Sequence, residues 1–191
     1  MPKHHRNYLP IAAAICLTSL PFGSSLTRAT LAPTTRIQDS GIQLSTWTTQ
    51  AHPPQLIARS QRTYSLQLLS LINAERQKVG APPLRTNLQL TQAALGQSQD
   101  MATNNFFSHT GSNGSEFSDR ISTTGYDWSA VAENIAAGQS TPTAVVRSWL
   151  NSPPHKQNML NPQYTEVGFG YAYNSQSSNK TYWTAEFAKP F

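Results

Sequence analysis

One cysteine, Cys16, is all the thiol chemistry that 191 residues contain. It cannot close an intrachain disulfide, and there is no cysteine cluster to hold a metal. Charge is also scarce, at 12% of residues. The net excess of +5 suggests nucleic acid only until it is placed along the chain. Residues 1–63 carry Lys3, Arg6, Arg28, Arg36, Arg59 and Arg62 against Asp39 alone. Residues 64–191 carry eight basic and eight acidic side chains and are neutral. With no basic stripe to release counterions from a phosphate backbone, nucleic acid is excluded as a partner. Several motifs are missing too: there is no G-x-S-x-G elbow, H-E-x-x-H helix, P-loop or complete G-x-G-x-x-G. Gly168-Phe-Gly170 lacks the third glycine and sits in a strand-like segment.

The N-terminal apolar run, Leu9 to Leu20, is 12 residues long. A membrane span needs ~20. Preceded by Lys3, His4, His5 and Arg6 and followed by small polar residues, it reads as a secretory leader. Ile15 stands where a small residue would precede a lipidated cysteine, so Cys16 belongs to the discarded peptide. Residues 1–29 are therefore expected to be a signal peptide, cleaved between about Ser25 and Ala29. The mature chain is then periplasmic or extracellular, free of cysteine and without stable membrane insertion. Residues 30–63, rich in Thr, Gln, Ser and Pro, read as a linker or disordered arm. In this reading His52-Pro-Pro-Gln55 breaks any regular element, and Trp47 is a solvated side chain.

From Tyr64 onward, residues 64–191 form one expected domain. Leu68, Leu71, Ile72 and Val79 follow helical spacing up to Gly80. Asn87 is an N-cap candidate for a second helix through Leu90, Ala94, Gln97 and Met101, ending near Asn104. Ser115 precedes a short helix through Ile121. Thr141-Pro142 starts another that carries Val145, Val146, Trp149 and Leu150, with Trp149 assigned to the core, and Ser152-Pro153 starts a last turn through Met159. Glu166–Tyr173 and Thr181–Phe187 read as two strands joined by a loose hairpin. Helices followed by strands indicate an α+β fold with helices packed on an antiparallel sheet.

Two histidines fall in this domain, His109 in Phe106-Phe-Ser-His-Thr110 and His155 in Asn151-Ser-Pro-Pro-His155. Each suits either a structural hydrogen bonder or a ligand. Glu133, flanked by apolar residues in Val131-Ala-Glu-Asn-Ile135, either finds a buried partner or points outward. Ser108 adjoins His109, but sequence neighbours rarely face each other, which makes it a poor nucleophile candidate. Asn113-Gly-Ser115 and Asn179-Lys-Thr181 are formal glycosylation sequons.

Five strings occur in order: Leu71-Ile-Asn-Ala-Glu-Arg-Gln-Lys78, Phe106-Phe-Ser-His-Thr110, Ala132-Glu-Asn-Ile-Ala136, Trp149-Leu-Asn-Ser-Pro-Pro-His155 and Asn158-Met-Leu-Asn-Pro162. Together they resemble the CAP superfamily, or SCP domain, in its disulfide-free bacterial form, over about Tyr64 to Lys189. The resemblance implies an α-β-α sandwich with a central antiparallel sheet and an open cleft lined by two histidines and two acids. Matched string by string, His109, Glu133 and His155 fill three of these positions, while Ser152 stands where the second acid belongs. Asn134 and Ser152 join the expected cleft residues. The resemblance also implies divalent metal, commonly zinc, on His109 and His155, with Glu133 as a third ligand or as an orienter of a ligand. Two imidazoles alone make a weak, exchangeable site, so no cofactor is required. The expected function is a secreted binding or interaction module for an extracellular, cell-wall, lipid or protein ligand. The alternative is a weak metal-dependent hydrolase using His109, Glu133 and His155.

Overall fold

The structure is a computed structural model, and it describes residues 53–191. The proposed leader, Cys16 and Trp47 lie outside the described residues, as does most of the arm. Helix α1 runs from Pro53 to Lys78. It thus begins ahead of Tyr64, and residues 53–63, expected in the arm, are helical. The prolines that were expected to break the chain stand at the helix start, where a fixed φ and a missing N–H do no harm. Gln61 ties this part of the helix to the sheet by donating to the Phe169 carbonyl at 2.6 Å.

Helix α2 (Leu88–Asn104) starts at Asn87, whose side chain accepts from the Gln89 and Leu90 N–H groups. It stops at Asn105, which has a left-handed φ of 53°. Helix α3 (Phe117–Thr123) is capped by Glu116, one residue after Ser115, because Glu116 and Asp119 form a reciprocal capping box. Helices α4 (Pro142–Leu150) and α5 (Pro153–Leu160) begin at Thr141 and Ser152 as their sequences suggest.

Strands β1 (Arg85–Thr86), β2 (Trp128–Ala137), β3 (Glu166–Tyr173) and β4 (Thr181–Pro190) make one sheet in the order β1-β3-β4-β2. The three long strands pair antiparallel, and the two-residue β1 joins β3 in parallel, so the sheet is mixed only at that edge. Strand β2 is absent from the sequence reading. Its Val-Ala-Glu-Asn-Ile-Ala-Ala run is covered on both faces and alternates poorly between apolar and polar, which hides the two-residue period.

Helices α1, α4 and α5 cover one face of the sheet. Leu68, Ile72, Val145, Val146, Trp149 and Met159 meet Val167, Phe169, Trp183, Ala185 and Phe187 there. Trp149 is fully buried and donates its indole N–H to the Ile135 carbonyl at 3.0 Å, so it is a core residue, as expected. Arg76 is also fully buried, at the end of α1. Its guanidinium donates to the carbonyls of Pro82, Met159, Asn161 and Tyr164, pinning the segment after α5. Helix α2 covers the opposite face. A Cβ on Gly168 would lie 2.0 Å from the Leu90 carbonyl carbon, and one on Gly170 would lie 2.1 Å from the Ala94 oxygen. The helix backbone rests directly on the strand, and only glycine fits beneath it. Helix layer, sheet and helix layer make the expected α-β-α sandwich.

Candidate functional site

The site grows from strand β2, where successive side chains point to opposite faces of the sheet. Glu133 points to the α2–α3 face and Asn134 to the α5 face. The Glu133 side chain has no solvent exposure. Its Oε1 lies 2.7 Å from His109 Nδ1, and its Oε2 accepts from Arg120 Nη2 at 2.7 Å. The buried-partner alternative for Glu133 is therefore the one found, and its partners come from two different elements. His109 sits in the connection between α2 and α3, with 48% of its side chain exposed. The carboxylate grips one ring nitrogen while the ring itself reaches solvent. In the neutral ring, Nδ1 donating to Glu133 leaves Nε2 as the acceptor.

The connection that carries His109 is held at three carbonyls. Gln97 of α2, fully buried, donates to Ser108 O at 2.7 Å. Arg120 of α3 donates to His109 O at 3.0 Å and to Ser115 O at 2.9 Å. Arg120 thus neutralises Glu133 and clips down the loop that presents the imidazole. Sequence reasoning missed it. On a short amphipathic helix an arginine reads as solvated, yet only 12% of this side chain is exposed.

Strand β4 contributes Glu186, directly opposite Glu133 in the β2–β4 register and fully buried. Burial, then the Glu133 charge and a hydrogen bond with it, push the Glu186 carboxyl well above the ordinary range, and Arg120 opposes only part of this.

Asn134 is also fully buried, but its amide is used by α5. It donates to the His155 carbonyl at 2.9 Å and accepts from Asn158 at 2.9 Å. It anchors α5 and does not line an open surface. That anchorage sets the position of His155, in the first turn of α5. Burial and then the charge of His109 lower the His155 pKa. Ser152 caps α5 without a side-chain hydrogen bond and carries no acid function. A groove of about 480 Å³ along α5 is lined by Leu150, Asn151, Pro153, Lys156, Gln157 and Leu160 and holds none of the His–Glu cluster.

A metal implied by the family would have to rest on this donor set. Both Glu133 oxygens are committed, so it orients His109 and is not free to be a third ligand. An open zinc site takes about three protein ligands, and two imidazoles fall short. Among the described residues, no group of three or more His, Cys, Asp or Glu side chains is placed to hold a metal ion. The residues present do not fit a resident metal.

A four-stranded sheet of this order between two helix layers defines the class of small α+β sandwich domains. Residues 69–187 match the family model described as CAP, the cysteine-rich secretory protein family. The chain belongs to that family. The protein YkwD of Bacillus subtilis (strain 168), itself uncharacterized, is 40% identical over 125 residues, covering 65% of this chain and 46% of YkwD. An extracellular protein of Bacillus anthracis containing an SCP domain superposes with a TM-score of 0.64 at 30% identity, over 73% of this chain and 44% of that one. An outer surface protein of Borrelia burgdorferi gives a TM-score of 0.58 at 26% identity, over 65% of this chain and 90% of that one. The chain thus spans less than half the length of YkwD and of the B. anthracis protein. No helix among the described residues is long and apolar enough to cross a membrane.

Proposed function

We propose that this chain is an exported binding module whose His109–His155 edge takes an extracellular, cell-wall or lipid ligand. The observation that carries this reading is the state of His109. It is oriented by a fully buried carboxylate and half open to solvent, and no hydroxyl among the described residues is hydrogen-bonded to either imidazole. Ser108 Oγ accepts from the Thr110 N–H instead. A preorganised donor–acceptor edge without an adjacent nucleophile suits recognition better than turnover. The extracellular and surface relatives support the same compartment. Removal of residues 1–29 on export belongs to this proposal, and so does a cofactor-free resting state.

One observation favours a hydrolytic reading: a carboxylate holding the ring N–H of an exposed imidazole is also how a general base is oriented. A panel of cell-wall fragments and lipid vesicles separates the two. Saturable binding without turnover is expected, weakened at least tenfold by His109→Ala. Turnover of any panel member that disappears in His109→Ala would replace the binding reading with the hydrolase.

A further inference from the structure

The site has one acid too few by its sequence pattern, with Ser152 in the second position, and one acid too many by its structure. Glu186 is that extra group. The register sets it directly across from Glu133 on the same face, where side chains of paired residues have Cβ atoms ~4.5–5.5 Å apart. Both carboxyls are cut off from water, and like charges at such a position repel strongly. Among the described residues, Arg120 is the one arginine or lysine paired with Glu133. A second buried negative charge here has no counter-ion of its own.

The hydrogen bonds lead to the same result. Among the described residues, neither oxygen of Glu186 accepts from any N–H or O–H group, so an ionised Glu186 would be buried with its acceptor sites empty. Glu133 is the acceptor placed directly opposite, and because two ionised carboxylates are acceptors only, a bond between them requires a proton. Glu133 is already fixed as the charged partner by Arg120 and His109. The proton therefore belongs on Glu186.

We propose that Glu186 is the second acid of this site, an un-ionised carboxyl whose O–H donates to Glu133 and so fixes the carboxylate that orients His109. It is a positioning residue that touches no ligand and acts through Glu133. Held by the imidazole, the guanidinium and the carboxylic O–H, Glu133 has little freedom to turn. His109 then keeps its proton on Nδ1 and offers Nε2 outward. The acid missing from the N-cap of α5 is supplied from the middle of the sheet. This inference rests on the site geometry and holds whichever ligand the edge takes.

The test uses the full chain labelled with ¹³C-glutamate and ¹⁵N-histidine, at neutral pH with no metal added. The side-chain carboxyl carbon of Glu186 should resonate upfield, as an un-ionised acid, and that of Glu133 downfield, as a carboxylate. An ionised Glu186 signal overturns the proposal, and this measurement needs no variant. His109 should carry its proton on Nδ1. Glu186→Gln keeps a donor toward Glu133 and should preserve that tautomer. Glu186→Leu removes the donor and should shift His109 toward the mixture of an unrestrained ring. Glu186→Asp, which withdraws the O–H while keeping the acid, is the milder variant and should shift it in the same direction. A His109 tautomer identical in wild type, Glu186→Asp and Glu186→Leu overturns the positioning role, whereas a folded Leu variant with a loosened tautomer supports it.

Discussion

On the face covered by α1, α4 and α5, strands β3 and β4 present Val167, Phe169, Trp183, Ala185 and Phe187. On the face covered by α2, the same two strands present Gly168, Gly170, Thr184 and Glu186, with Glu133 beside them on β2. The first face is filled by large apolar side chains. The second is closed by helix backbone lying against glycine, with polar groups collected at the β2 edge. There Ser98 donates to Thr184 at 2.9 Å, and Arg120 and His109 meet Glu133. An apolar face gains stability from area removed from water. A polar buried face gains little net, since each hydrogen bond there mostly replaces one to water. What it gains is fixed geometry: an imidazole can be aimed only by partners that cannot move. In this protein the Val167–Phe169–Trp183–Phe187 core and the Glu133–His109 pair are built on opposite sides of the same sheet.

Breaking the apolar face should have the largest effect on folding. Trp149→Ala removes a fully buried indole and its hydrogen bond, and should lower stability by about 3–5 kcal/mol. Chemical denaturation measures the loss. Below the new transition the His109 ring signals should match wild type, since Trp149 lies on the other side of the sheet.

Breaking the polar face should have the opposite balance. Glu133→Gln keeps the shape but removes the charge facing Arg120, and an amide can satisfy only part of what the carboxylate accepted. A loss of about 1–3 kcal/mol is expected. Ligand binding at the edge should fall far more than a stability change of that size explains, and the His109 ring should lose its preferred tautomer. Binding isotherms recorded beside thermal melts would show the contrast. A Glu133→Gln protein that binds as wild type does would mean that the two faces are not divided in this way.

The smallest expected effect is a pH dependence confined to the site. His155 has a folded pKa below its ordinary value of about 6.5, through burial first and the His109 charge second. The folded state therefore favours the neutral ring. As pH falls below about 6.5 the unfolded chain takes up this proton first, so stability present above that value is lost on acidification. The loss ends once the pH passes the lowered folded value. Melting temperature against pH should show this slope in wild type, and His155→Gln should reduce it. An unchanged slope would place the sensitivity elsewhere.

Local patterns with strong rules were legible in the sequence. Asn87 and Thr141-Pro142 marked helix starts because a capping side chain or an N1 proline acts within three residues. Glu166–Tyr173 and Thr181–Phe187 read as strands from their alternation and aromatic content. Strand β2 was not legible, since covering both of its faces removes the alternation. Nor were Pro53 and Pro54 legible as a helix start, because the same pair equally marks a break. In the site, His109, Glu133 and His155 were named from their motifs, but Asn134 next to Glu133 went to the opposite face to anchor α5. Arg120 and Glu186 had no local signal that set them apart from an ordinary helix arginine and an ordinary strand glutamate.

By itself, then, the sequence determined the α+β class, the helix starts and the identity of the imidazole and carboxylate strings, since each depends on residues within a few positions of one another. Which groups meet was decided by tertiary structure alone. The β2–β4 register placed Glu186 across from Glu133, and the packing of α3 brought Arg120 onto both Glu133 and the His109 carbonyl. Partners separated by 11 to 53 positions share no local signal, and the proton state of a buried acid depends on what surrounds it in space.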